Sequence, residues 1–353
     1  MGRQADVEPL TQITARPREV GPQSDDPLAL SLNENPFAPL PAVHTAIVEA
    51  TAAANRYPEF LPERLRRLIA RHIGVLDEQV IVAAGATGVV MQVLHAVTSP
   101  GDRVVLATPT FDGYPIFAQM ARLAPVSVPL DQQGRQDLTT MAEAAADARV
   151  IVLCRPHNPT GTVEPTQQVQ RFLNRVPSDV VVVIDEAYIE FVHPDYRLDC
   201  PALVRRHPNV VVVRTFSKAY GLAGMRTGYG ICSPSSARAL WAMQLPFGST
   251  RTSLAAVAAS YAAEEQLQER IRFITAERAY LRTRLRELGV SSTDSHANFV
   301  YLPPAGRPWR EAFEGTGLQV RSYLDGGVRI TVGGRPSTTA VLAAIGKSVA
   351  ARA

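Results

Sequence analysis

The sequence predicts an α/β fold, a mostly parallel sheet covered on both faces by helices, followed by a smaller α+β region. Three observations predict it. Several short runs are apolar without alternation and rich in β-branched residues, as in strands buried on both faces. Segments with helical spacing separate these runs, as the crossovers of a parallel sheet require. Beyond about residue 250 the pattern changes to long stretches poor in Gly and Pro, and then to a few shorter strands.

The elements follow in order. The first thirty or so residues are polar, rich in Pro and Gly, and read as an arm. "QVIVAAG" is a strand and "TGVVMQVLHAVTS" a helix; "DRVVLAT" is a strand and "GYPIFAQMARL" a helix. Three further strands follow, in "RVIVLCRP", "DVVVVIDEAY" and "NVVVVRTFS", with "PTQQVQRFLNRV" helical between the first two. Residues 251 to 288 predict long helices, and "NFVYL", "LQVRSY" and "GVRITVG" the strands of a second, smaller unit. The expected division is an arm over 1–30, a large domain over 31–248 and a small domain over 249–353.

Composition bounds the function. The 353 residues are 46% hydrophobic and 20% charged, enough for a substantial core and about two domains. A net charge of +3, with both signs interspersed, gives no reason to expect a nucleic-acid or membrane partner. Cys154, Cys200 and Cys232 form no C-x-x-C pair and fit a reducing cytoplasm better than a disulfide framework or zinc site. The N-terminus lacks the basic and apolar regions of a signal peptide, and no apolar stretch is long enough to span a bilayer.

In such a sheet ligands bind beyond the carboxyl ends of the strands, so the polar residues after each apolar run carry the interest. After the first strand, Ala86, Thr87 and Gly88 open a helix whose exposed N–H groups suit a phosphate, although many α/β proteins have such a turn. Phe111 and Tyr114 follow the second strand, where an aromatic ring either stacks on a flat ligand or simply opens a helix in the core. Asn158 lies in an Asn-Pro-Thr-Gly turn and can donate into the same crevice. Asp185 and Glu186 end a run of apolar residues, where a buried acid needs a positive partner, with a cap or ion pair as the plainer reading. Ser217 and Lys218 end the next strand, and Arg226 lies eight residues beyond the lysine. Singly these features are ordinary. Together they supply a phosphate cradle, a stacking ring, an acid, a donor and a lysine at one sheet edge, the set that pyridoxal phosphate requires.

The motifs "TFSKAYGLAG", "NPTG", "DEAY", "SLNENP", "NRYPE" and "RITVG", from about residue 30 to the C-terminus, resemble the fold-type I, class II aminotransferases, and within them the histidinol-phosphate aminotransferase branch. The resemblance implies the PLP-dependent transferase fold, with a seven-stranded, mostly parallel sheet and a small α+β domain. By it, Lys218 would form the Schiff base with pyridoxal 5'-phosphate and then act as the base. Asp185 would hold the pyridine nitrogen, Tyr188 and Asn158 the phenolic oxygen, and Phe111 the ring face. Ala86, Thr87, Ser217 and Arg226 would bind the phosphate, joined by Tyr57 from the neighbouring subunit of a homodimer with shared active sites. Arg329 would grip the substrate anion, with Arg321 as a second contact and Asn33 over the substrate.

The reaction so implied is a ping-pong transamination between histidinol phosphate and 2-oxoglutarate, placing the chain in histidine biosynthesis. Some features depart from that branch. "LTQITARPREV" has no arm tyrosine, and "RPHNPTG" puts Arg155 and His157 unusually close to the site, where a stray histidine is more often a solvated loop residue. "GATGVV", "PFAPLPAV" and "RYPE" resemble actinobacterial aromatic amino acid aminotransferases, which makes phenylalanine the alternative donor. A PLP-dependent decarboxylase or oxidase is a third reading. A non-catalytic or regulatory aminotransferase-like domain is a reading of another class, against which the chain retains Lys218 and Asp185, and the glycines of "GLAGMRTGYG" lead into a strand rather than opening the helix of a nicotinamide-binding fold.

Overall fold

A computed structural model describes residues 26–306 and 308–351. The arm expected over residues 1–30, including the segment without a tyrosine, falls almost wholly outside the described residues. Seven strands form the main sheet: β1 (Val80–Ala83), β2 (Arg103–Thr108), β3 (Ala124–Pro129), β4 (Val150–Cys154), β5 (Val181–Asp185), β6 (Val210–Thr215) and β7 (Gly228–Cys232). Their order is β1-β7-β6-β5-β4-β2-β3. All neighbours are parallel except β7, which runs antiparallel to β1 and β6.

Alternation along each strand divides the core. Val150, Val152, Val183, Val211 and Val213 pack with Val89, Val93 and Tyr114 on one face. Ile151, Leu153, Val182, Ile184 and Val212 pack with Met141, Phe172 and Val204 on the other. Both faces are therefore dry, which is why these strands read as unbroken Val/Ile runs.

The β3 strand was not expected from the sequence. Its segment, "APVSVP", carries two prolines, which a sheet tolerates at an edge where an N–H is not needed, and β3 is an edge strand.

Beyond helices Arg251–Ala262 and Glu264–Glu287, a second sheet joins β8 (Phe299–Leu302), β9 (Arg321–Ser322) and β10 (Val328–Thr331) in the antiparallel order β8-β10-β9. The strand expected over "LQVRSY" is shorter than its pattern suggests. Gln319 instead pairs with the segment entering the main body, its N–H donating to Leu28 O at 2.8 Å and its carbonyl accepting from Leu30 N at 2.9 Å. That entering segment runs on past Asn33, whose N–H is held by Thr331 of β10. It is thereby laid over the carboxyl ends of β4, β5 and β6. Among the described residues no helix is long and apolar enough to cross a membrane.

Candidate active site

A cavity of about 440 Å³ opens at those strand ends. Of the residues singled out from sequence, Ala86, Thr87, Phe111, Asn158, Asp185, Tyr188, Ser217, Lys218, Arg226, Arg321, Arg329 and Asn33 all line it.

One end of the cavity is a cradle of backbone and small side chains. The chain leaves β1 through Gly85, at φ 78°, and enters helix Gly85–Val97, so the first N–H groups of a helix face the cavity. Side chains are excluded there by close approach. A Cβ on Gly85 would lie 2.6 Å from the Arg226 guanidinium, and one on Gly228 would lie 2.4 Å from Ala86 N. Arg226 itself reaches Ser217 Oγ and Thr87 Oγ1 at 3.4 Å each. Thr215 Oγ1 bonds Ser217 Oγ at 3.0 Å, fixing that hydroxyl. A cation, two hydroxyls and a helix N-terminus thus face one point, which is an anion site.

The middle is set by Asp185 and Lys218. Asp185 is buried, and burial pushes its carboxyl above the usual range while hydrogen bonds from Tyr114 and the Ala187 amide pull it back. Tyr114 O–H donates to Asp185 Oδ2 at 2.8 Å and Ala187 N–H to Oδ1 at 3.0 Å. The role of Tyr114 was not legible in the sequence beyond its being an aromatic one helical turn from Phe111. Lys218 Nζ donates to the carbonyls of Leu32 and Asn33 at 3.0 and 3.1 Å. Burial, and then the positive charge of Arg329, lower its pKa to about 8. An amine in that state is available as a nucleophile or base near neutral pH.

Phe111 lies along the wall, edge-on to Tyr114 with centroids 5.4 Å apart. Gly113 makes room for it, since a Cβ there would come within 2.4 Å of the Phe111 ring. Tyr188 O–H accepts from Asn33 Nδ2 at 3.0 Å and from Asn158 Nδ2 at 3.3 Å. Asn158 Oδ1 in turn accepts from Arg329 at 2.5 Å, and the other arm of Arg329 donates to Ser31 O at 2.6 Å. Arg321 stands directly opposite Arg329 in the β9–β10 register and is ion-paired to Asp112, which sequence reasoning passed over. Leu32, Val90 and Phe117 complete an apolar lining that no motif signalled.

The expectation that Arg155 and His157 lie unusually close to the site, with the histidine solvated, needs correction. Arg155 and His157 do not approach the cavity. The Arg155 guanidinium is fully buried and donates to the carbonyls of Glu164 and Tyr196. His157 is equally buried rather than solvated, its Nδ1 lies 2.8 Å from Thr160 Oγ1, and burial lowers its pKa to about 3, so the ring is neutral. Both residues brace the loop that presents Asn158. Tyr57, expected to serve the site of a neighbouring subunit, does not line the cavity of its own chain. It is 78% exposed, with its ring 4.8 Å from that of Phe247.

Comparison with known proteins agrees with this geometry. Residues 25–345 match the sequence model of the aminotransferase class I and II family, so the chain belongs to that family. It is 43% identical to an aromatic amino acid aminotransferase of Cutibacterium acnes, over 88% of this chain and 89% of that protein. A Streptomyces coelicolor protein of the same name is 42% identical over 88% of each chain. The crystal structure of histidinol-phosphate aminotransferase from Sinorhizobium meliloti, in complex with pyridoxal-5'-phosphate, superposes with a TM-score of 0.85 at 28% identity, covering 92% of both chains.

The protein is a pyridoxal-phosphate-dependent aminotransferase of the PLP fold type I. Its residues fit the cofactor. The glycine-lined anion cradle, the buried carboxylate of Asp185 and the neutralisable amine of Lys218 lie along one cavity.

Proposed function

We propose that the amino donor is an aromatic amino acid, with a 2-oxo acid as acceptor, and that the enzyme works as a homodimer. The observation that carries the donor is the 43% identity, over nearly the full chain, to a protein named for aromatic amino acids. The cavity agrees in chemistry. Leu32, Val90, Phe111 and Phe117 offer apolar surface for a ring, and Arg329 offers a guanidinium for a carboxylate. Histidinol phosphate, which the sequence resemblance put first, is the second reading, supported by a structural relative at 28% identity.

When bound, pyridoxal phosphate supplies a pyridinium ring that accepts the electrons released as a bond to the substrate Cα breaks. Asp185, its position fixed by Tyr114 and Ala187, would hold positive charge at the ring nitrogen. Ala86, Thr87, Ser217 and Arg226 would hold the phosphate, Phe111 the ring face, and Asn158 and Tyr188 the phenolic oxygen. Lys218 Nζ, held over the cavity by two carbonyls, takes the proton from the substrate Cα. Arg329 orients the donor's carboxylate, and Asn33 closes over it.

The dimer rests on Tyr57, Phe60, Leu245 and Phe247, which together expose an apolar patch on the described surface. In such a dimer Tyr57 would reach the phosphate of the neighbouring site, as the family resemblance implies.

The test is a single-turnover half-reaction on the cofactor-loaded enzyme, following the visible absorbance of the bound cofactor with phenylalanine and with histidinol phosphate in parallel. Faster loss with phenylalanine is expected. Faster loss with histidinol phosphate would overturn the donor assignment.

A further inference from the structure

We propose that Asp112 is a specificity-determining residue, which neutralises Arg321 so that the substrate end of the cavity offers a single arginine to an anion. It thereby selects a donor with one carboxylate and an uncharged side chain over a donor that carries a phosphate dianion. The proposal rests on the aromatic-donor reading and deepens it.

The β9–β10 register sets two arginines side by side. Arg321 and Arg329 are directly opposed, and like charges in that position repel unless something answers them. They are answered differently. Arg329 is held by the Asn158 and Ser31 oxygens, neither of them an acid, and has no carboxylate within ion-pair distance among the described residues. Arg321 donates to Asp112 Oδ2 at 2.6 Å. Its side chain is only 12% exposed and that of Asp112 35%, so the pair is shielded from much of the solvent that weakens surface ion pairs.

The position of Asp112 makes this pairing informative. It occupies the N-cap of helix Gly113–Met120, where aspartate ordinarily accepts a hydrogen bond from the helix, yet its side chain makes no capping bond. The carboxylate instead spans from the large sheet to the small one. Both partners line the cavity.

The remaining cations of the cavity are committed elsewhere. Arg226 stands in the anion cradle with Ser217 and Thr87, and Lys218 Nζ is held by the carbonyls of Leu32 and Asn33. A donor carboxylate therefore meets Arg329. A phosphate group at Arg321 would have to displace Asp112 and then lie beside its carboxylate, with Glu34 a further acid on the wall. Discrimination of this kind works by repulsion as much as by attraction.

The test compares Asp112→Asn, which keeps the shape and removes the charge, with Asp112→Glu, which keeps the charge. Half-reactions with phenylalanine and histidinol phosphate give a rate constant at saturation and a dissociation constant for each. In Asp112→Asn, the preference for histidinol phosphate relative to phenylalanine is expected to rise about 10- to 100-fold, through tighter binding of the phosphate donor, as one charge-assisted bond becomes available. Asp112→Glu should retain the wild-type ratio. A helix-capping or purely structural role would lower both reactions alike in Asp112→Asn and leave the ratio unmoved, which would overturn the role of Asp112 while the wild-type preference for phenylalanine stood. A wild-type preference for histidinol phosphate would instead overturn the donor reading and the premise of the proposal with it.

Discussion

Replacing Gly228 with alanine tests whether the cofactor cradle depends on backbone contact. Gly228 opens β7 and is in register with Ala83 of β1 on one side and Thr215 of β6 on the other, so it cannot move freely. An added Cβ would lie 2.4 Å from both Ala86 N and Gly85 C, and 2.9 Å from Arg214 O. Comfortable contact between such atoms begins near ~3.5 Å, so the first turn of helix Gly85–Val97 must retreat by about 1 Å. All three obstructing atoms are backbone, and no rotamer change relieves them. Overpacking of this kind costs about 1–3 kcal/mol. At about 2–4 °C per kcal/mol for a domain of 150–250 residues, Tm should fall by roughly 2–12 °C. The displacement falls on the Ala86 amide, and a shift of about 1 Å at a site group is enough to cost on the order of 100-fold in rate. The assays are thermal melting of the cofactor-free protein and equilibrium titration with pyridoxal phosphate. Gly224→Ala is the control, because a Cβ there meets nothing within 4 Å. If Gly228→Ala melts and binds cofactor as the wild type does, the reasoning from close approach is wrong.

Two further predictions concern buried charge. With the Lys218 pKa lowered to about 8, the neutral, reactive fraction of the amine is a minority near pH 7 and becomes the majority above 8. The rate of cofactor uptake by the cofactor-free protein should therefore climb with pH and level off just above 8, whereas an unperturbed lysine would still be climbing near its ordinary value of about 10.4. Glu190 is half-buried, its Oε2 is out of solvent without a partner, and burial pushes its carboxyl up to about 7. Because the folded state holds that proton more tightly than the unfolded chain, Glu190 costs stability as pH rises from the ordinary carboxylate range through 7. Glu190→Gln should thus match the wild type in acid and gain about 1–3 kcal/mol above neutrality, read from denaturant melts across pH. A gain independent of pH would refute the assignment.

Much of this molecule was legible beforehand for a plain reason. Strands dry on both faces need continuous Val and Ile, so β4, β5 and β6 announce themselves, and the position of the ligand-binding polar residues just beyond their carboxyl ends follows from topology. Asp185, Asn158, Ser217 and Lys218 were found by that rule. The β3 strand was hidden because its prolines are acceptable only at an edge, and edge position is a property of the assembled sheet. Arg155 and His157 were misplaced because a loop of "RPHNPTG" composition reads as solvated, whereas here Glu164, Thr160 and Tyr196 enclose it.

The sequence by itself determined the buried strands β4, β5 and β6 and the residue types at their ends, because those depend on short-range pattern and on type. Only the tertiary structure decided which charges meet. Asp112 and Arg321 are 209 residues apart, Asn33 and Tyr188 155, and Tyr114 and Asp185 71. No local pattern encodes such pairs, since each is made by the docking of one packed layer on another.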